Sequence, residues 1–256
     1  MLFARFQHGD RAAYGVLDGD VLRPIEGDLF GAHRVLDEQL RSADLRLLAP
    51  VIPRKILAAA VNYQSHVASG RSVLKGEEAP AVPQLFLKPS SSVIGPGDTI
   101  VLPEGARRVD AEGELVAVIG RDCRNVTAAE ALDYVFGYTC GNDVSARHWQ
   151  RDDIQWWRAK GSDTFAPIGP VIATGLDPAD LKLRTRLNGD VRQSAGTSAL
   201  IHSLAELISF ASRVMTLEPG DLLFTGTPGE TPTLAPGDVV EVEIEGIGVL
   251  RNPVSA

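Results

Sequence analysis

The chain is poor in cysteine, poor in aromatics and short of positive charge. Two cysteines among 256 residues, Cys123 and Cys140, cannot build a disulfide framework, so a small secreted scaffold is excluded and a cytoplasmic protein is expected. Lys and Arg number 25 against 33 Asp and Glu, a formal net charge of −8. Nucleic acids and anionic membranes select for basic stripes, so neither is an expected partner. A small anionic substrate needs only a local cation and stays open. No apolar run approaches the ~18 residues needed to cross a bilayer. The opening MLFARFQHGDR mixes its charges too early for a secretory leader. Common nucleophile, zinc and dinucleotide signatures are missing too: there is no GxSxG, CxxC, HExxH or GxGxxG.

What is present reads as an α+β protein dominated by sheet. Hydrophobic residues make up 44% and charged residues 23%, an ordinary globular balance with length enough for a sizeable core. Residues 1–52 are expected to form a small N-terminal α/β unit. It would hold a hairpin turning at Asp18-Gly19-Asp20 and a helix over HRVLDEQLRS. Pro50 and Pro53 mark the boundary with a larger unit, residues 53–256. There KILAAAVNY reads as a buried strand, and residues 68–83 as a long polar loop of the kind that closes over a site. Pro-Gly-Asp occurs three times, at 96–98, 219–221 and 236–238, each time before a strand-like run. Pro then Gly suits the central positions of a type II turn. VTAAEALDYVFG and SLAELISFASRVMTL carry helical periodicity, the second with Leu204, Leu207, Ile208 and Ala211 on one face.

The acidic residues pose the sharper question. In VDAEGELVAVIG, Glu112 and Glu114 sit two apart with Asp110 just before them. On a strand they share a face, roughly 6–7 Å apart. They repel by roughly 2.5 kcal/mol at an effective dielectric near 20. Facing water that is tolerable; facing a cleft it requires a cation, and a hard ion such as Mg²⁺ takes carboxylate oxygens. Glu241, Glu243 and Glu245 have the same spacing and alternate with Val and Ile, which is the pattern of a half-exposed strand. Spacing alone therefore leaves both readings open for Glu112 and Glu114. The continuously apolar LVAVIG that follows them suggests a strand buried on both faces.

Other polar groups fit a site without defining one. In GYTCGNDVSARHWQ, Asp143 ends a strand, Ser145 is placed to cap a helix, and Arg147 and Gln150 share that helix's face. Arg147 serves equally as a surface ion-pair partner. Lys160 follows QWWRAK, where Trp156 and Trp157 imply a packed surface; it is a specific cation or a snorkelling side chain. His66 in NYQSH is a candidate base or a structural histidine. Thr225-Gly226-Thr227-Pro228 offers hydroxyls and amides to a carboxylate, or is a plain turn.

Taken in order, NYQSH, QLFLKPSSSVIGPGD, VDAEGELVAVIG, GYTCGNDVSARHWQ, RAKGSDTFAPIGP, LNGDVRQ, LEPGDLLFTGTPG and GDVVEVEIEGIGVLRNPV resemble the fumarylacetoacetate hydrolase family over roughly residues 54–256. The resemblance implies a mixed β-sandwich roll, a homodimer, and a divalent metal, Mg²⁺ or Mn²⁺, held by Glu112, Glu114 and Asp143. It places Arg147, Gln150, Lys160 and Thr227 at the substrate, with Tyr63, and His66 as the proton-transferring base. The Glu241/Glu243/Glu245 run falls outside the implied metal site. Hydrolytic members carry Glu three residues after the histidine; this chain has Ser69, and Glu77 or Glu78 would have to replace it. The expected activity is C–C hydrolysis of an acylpyruvate or fumarylpyruvate-like 2-oxo acid through an enolate that the metal stabilises. An oxaloacetate-type decarboxylase or an enol–keto tautomerase is the alternative, and a binding protein that has lost its chemistry is the non-enzyme reading. A two-metal phosphohydrolase would need clustered Asp and His that the sequence lacks.

Overall fold

The computed structural model describes residues 1–68 and 79–256. The chain opens with a meander of three antiparallel strands, β1 (Leu2–His8), β2 (Arg11–Asp18) and β3 (Val21–Gly27). Gly19 turns β2 into β3 with φ +57°, a left-handed conformation in which a side chain is strained, so the hairpin falls where Asp18-Gly19-Asp20 put it. The helix expected over HRVLDEQLRS does not form. Short strands His33–Val35 and Leu40–Arg41 pair with β3 instead, and Ser42–Asp44 makes a single 3₁₀ turn. Ten residues are too few for a self-supporting helix, whereas the edge of β3 offers backbone partners at once. Residues 1–52, all of them described, therefore contain no α-helix, and the α/β character expected of this part is corrected to β.

β1 also pairs with a strand far along the chain. The large sheet continues through β4 (Ile56–Ala60), β5 (Gln84–Lys88), β6 (Gly113–Ile119), β7 (Val135–Asn142), β8 (Ala166–Ala173) and a short strand Leu222–Phe224. Its order is β3-β2-β1-β8-β7-β6, then Leu222–Phe224, β4 and β5. Only Leu222–Phe224 with β4 is a parallel pair along this path. Of the helix expected in VTAAEALDYVFG, only a 3₁₀ turn at Ala131–Tyr134 forms. Val135, Phe136 and Tyr138 are drawn into β7, whose place between β6 and β8 satisfies their backbone on both sides. The other helix forms as expected. Leu204–Ser212 begins at a capping box in which Ser203 and Glu206 satisfy each other's amides, and Leu204, Leu207, Ile208 and Ala211 are buried.

Leu222–Phe224 of the large sheet is β11; a second sheet is built from β9 (Lys182–Leu187), β10 (Asp190–Gly196), β12 (Val239–Ile244) and β13 (Gly248–Ser255), with Ile100–Val101 at its edge. β6 lies between two cores. Leu115, Ala117 and Ile119 pack with Val242, Ile244 and Leu250 of the second sheet; Val116 and Val118 pack with Ile168, Leu222 and Phe224. Every residue of β6 is buried, as the unbroken apolar run requires. Gly113, at its start, has no room for a side chain: a Cβ there would lie 2.1 Å from Thr185 Oγ1 on β9. β12 shows the alternating burial expected of a half-exposed strand, and its glutamates pair with arginines, Glu243 with Arg186 at 2.7 Å. The three Pro-Gly-Asp turns are alike. Gly97, Gly220 and Gly237 have φ of 78°, 87° and 92°, and each Asp carboxylate accepts the amide three residues before it, at 2.9, 2.7 and 2.7 Å.

Candidate active site

The strand β6 and the strand β7 exchange hydrogen bonds up to the pair Gly113↔Asn142. Beyond it, Glu112 N donates to Asn142 Oδ1 at 2.9 Å and Asp143 N donates to Glu112 O at 2.9 Å. This junction brings Glu112, Glu114 and Asp143 together although they come from two segments. One carboxylate oxygen from each lies within 4.8 Å of the others, and all three residues are buried. The loop after β11 closes the other side: Gly226 N donates to Glu114 Oε2 at 2.6 Å.

Cations surround the acids. Lys160, on the short helix Trp157–Gly161, donates to Glu112 Oε2 at 2.7 Å and to Asp143 Oδ2, with its ammonium 5.0 Å from the Phe86 ring centre. Arg147 opens the helix Arg147–Asp152 and meets Glu112 Oε1 at 2.5 Å. Ser145 does not cap that helix: it lies in a two-residue strand paired with Val109–Asp110, and its hydroxyl donates to Asp143 O at 2.8 Å. Arg147 is a buried member of the cluster, not the surface ion-pair residue that its sequence equally allowed. The packed surface inferred from two tryptophans is half right. Trp156 packs on Phe86, ring centres 5.3 Å apart, while Trp157 is 71% exposed.

A small cavity is lined by His66, Glu112, Glu114, Arg147, Gln150, Lys160 and Thr227, together with Ala59, Ala60 and Val61. His66 is buried, and its Nδ1 lies 2.7 Å from the Gly229 carbonyl oxygen. A carbonyl only accepts, so Nδ1 carries the hydrogen and Nε2 is the basic nitrogen of the neutral ring. The Thr227 hydroxyl donates to Gly113 O at 2.9 Å and accepts from Gln193 Nε2 at 2.9 Å, while Thr225 donates to Leu115 O. Both hydroxyl hydrogens thus serve β6, so Thr227 has only its peptide N–H to donate to a carboxylate. Tyr63 is fully buried and is not among the lining residues; its hydroxyl has no hydrogen-bond partner among the described residues. Burial and the nearby Glu114 push its phenol upward. Ser69, Glu77 and Glu78 lie outside the described residues, as does most of the 68–83 loop.

Sequence reasoning missed Lys88. It is fully buried at the end of β5, where its ammonium holds Asp143 Oδ1 at 2.5 Å and also the Lys160 carbonyl. The available signal is a lysine closing an apolar strand directly before Pro89, where a snorkelling side chain has little room to escape. Asp110 was also left without a role; it is buried against Arg147 and Arg108, at 2.9 and 2.8 Å. Burial raises its carboxyl, but the two guanidiniums outweigh burial and hold it below the usual range.

The electrostatics fit a divalent ion. Burial raises the Glu112 carboxyl, yet Arg147, Lys160 and His66 bring it far below its usual value. Glu114 goes the other way: burial and the charges of Asp143 and Glu112 push it well above. Four buried carboxyls, Asp110, Glu112, Glu114 and Asp143, face three buried cations, Lys88, Arg147 and Lys160. An all-carboxylate donor set suits Mg²⁺ or Mn²⁺. The raised Glu114 has a measurable consequence. Its proton stabilises the ion-free fold at low pH, and that contribution fades as pH rises from 4.5 through the raised value. Adding Mg²⁺ is therefore expected to release protons. The dependence of the binding heat on buffer ionisation enthalpy reads this directly; no release would mean that Glu114 is already ionised.

Comparison with known proteins places this geometry in context. Residues 55–255 match the family model described as fumarylacetoacetate (FAA) hydrolase C-terminal, and residues 1–50 match one described as Rv2993c-like, N-terminal. The crystal structure of 5-carboxymethyl-2-hydroxymuconate delta-isomerase from Mycobacterium smegmatis is 45% identical, with a TM-score of 0.91 covering 100% of this chain and 99% of that one. Oxaloacetate tautomerase fahd2, mitochondrial, from Xenopus laevis is 40% identical over 84% of this chain and 70% of its own. Maleylpyruvate hydrolase from Sphingobium sp. SYK-6, solved with manganese (II) ion and pyruvate, is 32% identical with a TM-score of 0.82, covering 100% and 99%.

Proposed function

Because the chain belongs to the fumarylacetoacetate hydrolase family, we propose that it is a divalent-metal-dependent enzyme that interconverts the enol and keto forms of a 2-oxo acid. The observation that carries this reading is the buried triad Glu112, Glu114 and Asp143, whose two glutamates line one cavity with His66 and Lys160. Those three carboxylates would hold Mg²⁺ or Mn²⁺, which when bound supplies Lewis-acid polarisation of the 2-oxo group. His66 Nε2 would take the proton from the carbon beside that group and return it to oxygen, while its Nδ1–H stays on Gly229 O. Lys160 and Gln150 would meet the substrate's acceptor oxygens, and the Thr227 peptide N–H its carboxylate. The fold goes with the family's mixed β-sandwich roll, and with this reading go a homodimer and a cytoplasmic location.

This choice ranks proton transfer above hydrolysis, reversing the order suggested by sequence. Ser69 stands where a dyad carboxylate is expected, three residues after His66. The isomerase and the tautomerase are also more similar in sequence than the hydrolase. Hydrolysis of an acylpyruvate is the second reading, favoured by likeness to the manganese-bound hydrolase. Decay of enol-oxaloacetate absorbance and acylpyruvate cleavage, each with Mg²⁺ and with EDTA, separate the two. His66→Ala is expected to slow enol–keto exchange about 100-fold. Unchanged exchange would remove His66 as the base. Ser69→Glu is expected to raise acylpyruvate cleavage while leaving exchange in place, and no gain would count against the dyad explanation.

A further inference from the structure

The stretch VDAEGE carries three acids at period two, and the triad uses only two of them. We propose that the third, Asp110, is a positioning residue that fixes which end of the Gln150 amide the substrate meets, acting through Arg147. Asp110 is fully buried and accepts five hydrogen bonds. Arg108 reaches it through Nε at 2.9 Å and Nη2 at 2.8 Å, Thr233 at 2.9 Å, Thr231 at 2.7 Å and Arg147 Nε at 2.9 Å. With Nε held, the Arg147 plane has one setting. Nη2 spans Thr231 Oγ1 at 2.8 Å and Glu112 Oε1 at 2.5 Å, and Nη1 meets Gln150 Oε1 at 3.0 Å.

The chemistry of this chain of contacts has a definite direction. A guanidinium only donates, so the Gln150 group facing Arg147 has to be its carbonyl oxygen. The NH₂ end is then what the amide contributes to the cavity that Gln150 lines. Asp110 thereby makes Gln150 a hydrogen-bond donor, a setting that selects a ligand with an acceptor at that point, as a carboxylate or an oxo group has. Without Asp110, Arg147 can tilt, and the amide is free to present its oxygen, which repels such a ligand. Thr231 supports the same arrangement from the side, accepting from Arg147 and donating to Asp110.

The inference rests on the proposed function for the choice of probe, and the test keeps the two apart. Mn²⁺ affinity by electron paramagnetic resonance and pyruvate affinity of the Mn²⁺-loaded protein by calorimetry are measured for wild type, Asp110→Asn, Gln150→Ala and the double variant. Asp110→Asn is expected to weaken pyruvate about 10-fold or more and Mn²⁺ less than about 3-fold. In the Gln150→Ala background, the same change is expected to add less than about 2-fold to the loss of pyruvate. Equal losses of Mn²⁺ and pyruvate, or full additivity in the double variant, would overturn the positioning role. A wild-type protein that binds neither probe would overturn the functional reading instead. If Asp110→Asn does not fold, Thr231→Val decides. It loosens the same clamp and is expected to weaken pyruvate about 3-fold with Mn²⁺ unchanged, and unchanged pyruvate affinity would sink the proposal.

Discussion

Glu114→Gln is expected to lower turnover at least ~1,000-fold and divalent-ion affinity at least ~100-fold, while leaving the ion-free fold as stable as before. The three effects have one origin. Glu114 is buried beside Glu112 and Asp143, whose charges and its own burial push its carboxyl well above the usual range. That favours the neutral acid while no ion is bound, and Gln copies its shape and the oxygen that accepts from Gly226 N. What Gln cannot copy is the anion that an incoming dication calls for. Thermal melts with EDTA and with Mg²⁺, alongside turnover, check the pattern. A variant that keeps wild-type Mg²⁺ stabilisation would remove Glu114 from the ion site.

Lys160→Met separates ion binding from chemistry with an opposite sign. The Lys160 ammonium bonds Glu112 Oε2 and Asp143 Oδ2, so it competes with any ion for the same oxygens. Burial lowers its pKa, but Asp143 and Glu112 outweigh that and raise it, so it is charged at neutral pH. Its removal is expected to leave Mn²⁺ affinity unchanged or tighter, yet to lower turnover by about 100- to 1,000-fold through loss of a cation facing the developing oxyanion. The ion-free fold is expected to lose about 3 kcal/mol, because two buried carboxylates lose a shared partner. Mg²⁺ is expected to restore most of that loss. Weaker Mn²⁺ binding in Lys160→Met would mean that the lysine builds the ion site and does not compete for it.

How far the sequence exposed this arrangement depended on whether the controlling physics was local. Glu112 and Glu114 were visible because period two is a local property of the chain, and the burial of β6 was visible because its run is unbroken. Asp143 needed the family resemblance: nothing local says that residues 112 and 143 are joined by Asn142 and the β6–β7 register. Lys88 was hidden because one lysine at a strand end looks the same whether it reaches solvent or an acid 55 positions away. Asp110 was read only as a neighbour of the pair, since its partners Arg147, Thr231 and Thr233 are distant in sequence. The helices that failed to form failed for one reason. HRVLDEQLRS and VTAAEALDYVFG have adequate periodicity, but each lies beside a strand with unpaired backbone, and tertiary pairing overrode local preference. SLAELISFASRVMTL formed because its cap and its apolar face agree.

The central claim is that three buried carboxylates share one divalent ion at which a 2-oxo acid is received. Pyruvate binding to the purified protein, titrated with Mn²⁺ and again with EDTA, tests it most directly. The account predicts about one ion per chain and pyruvate binding only when that ion is present. Pyruvate binding of equal strength in EDTA, or Mn²⁺ binding that survives Glu114→Gln undiminished, would contradict it.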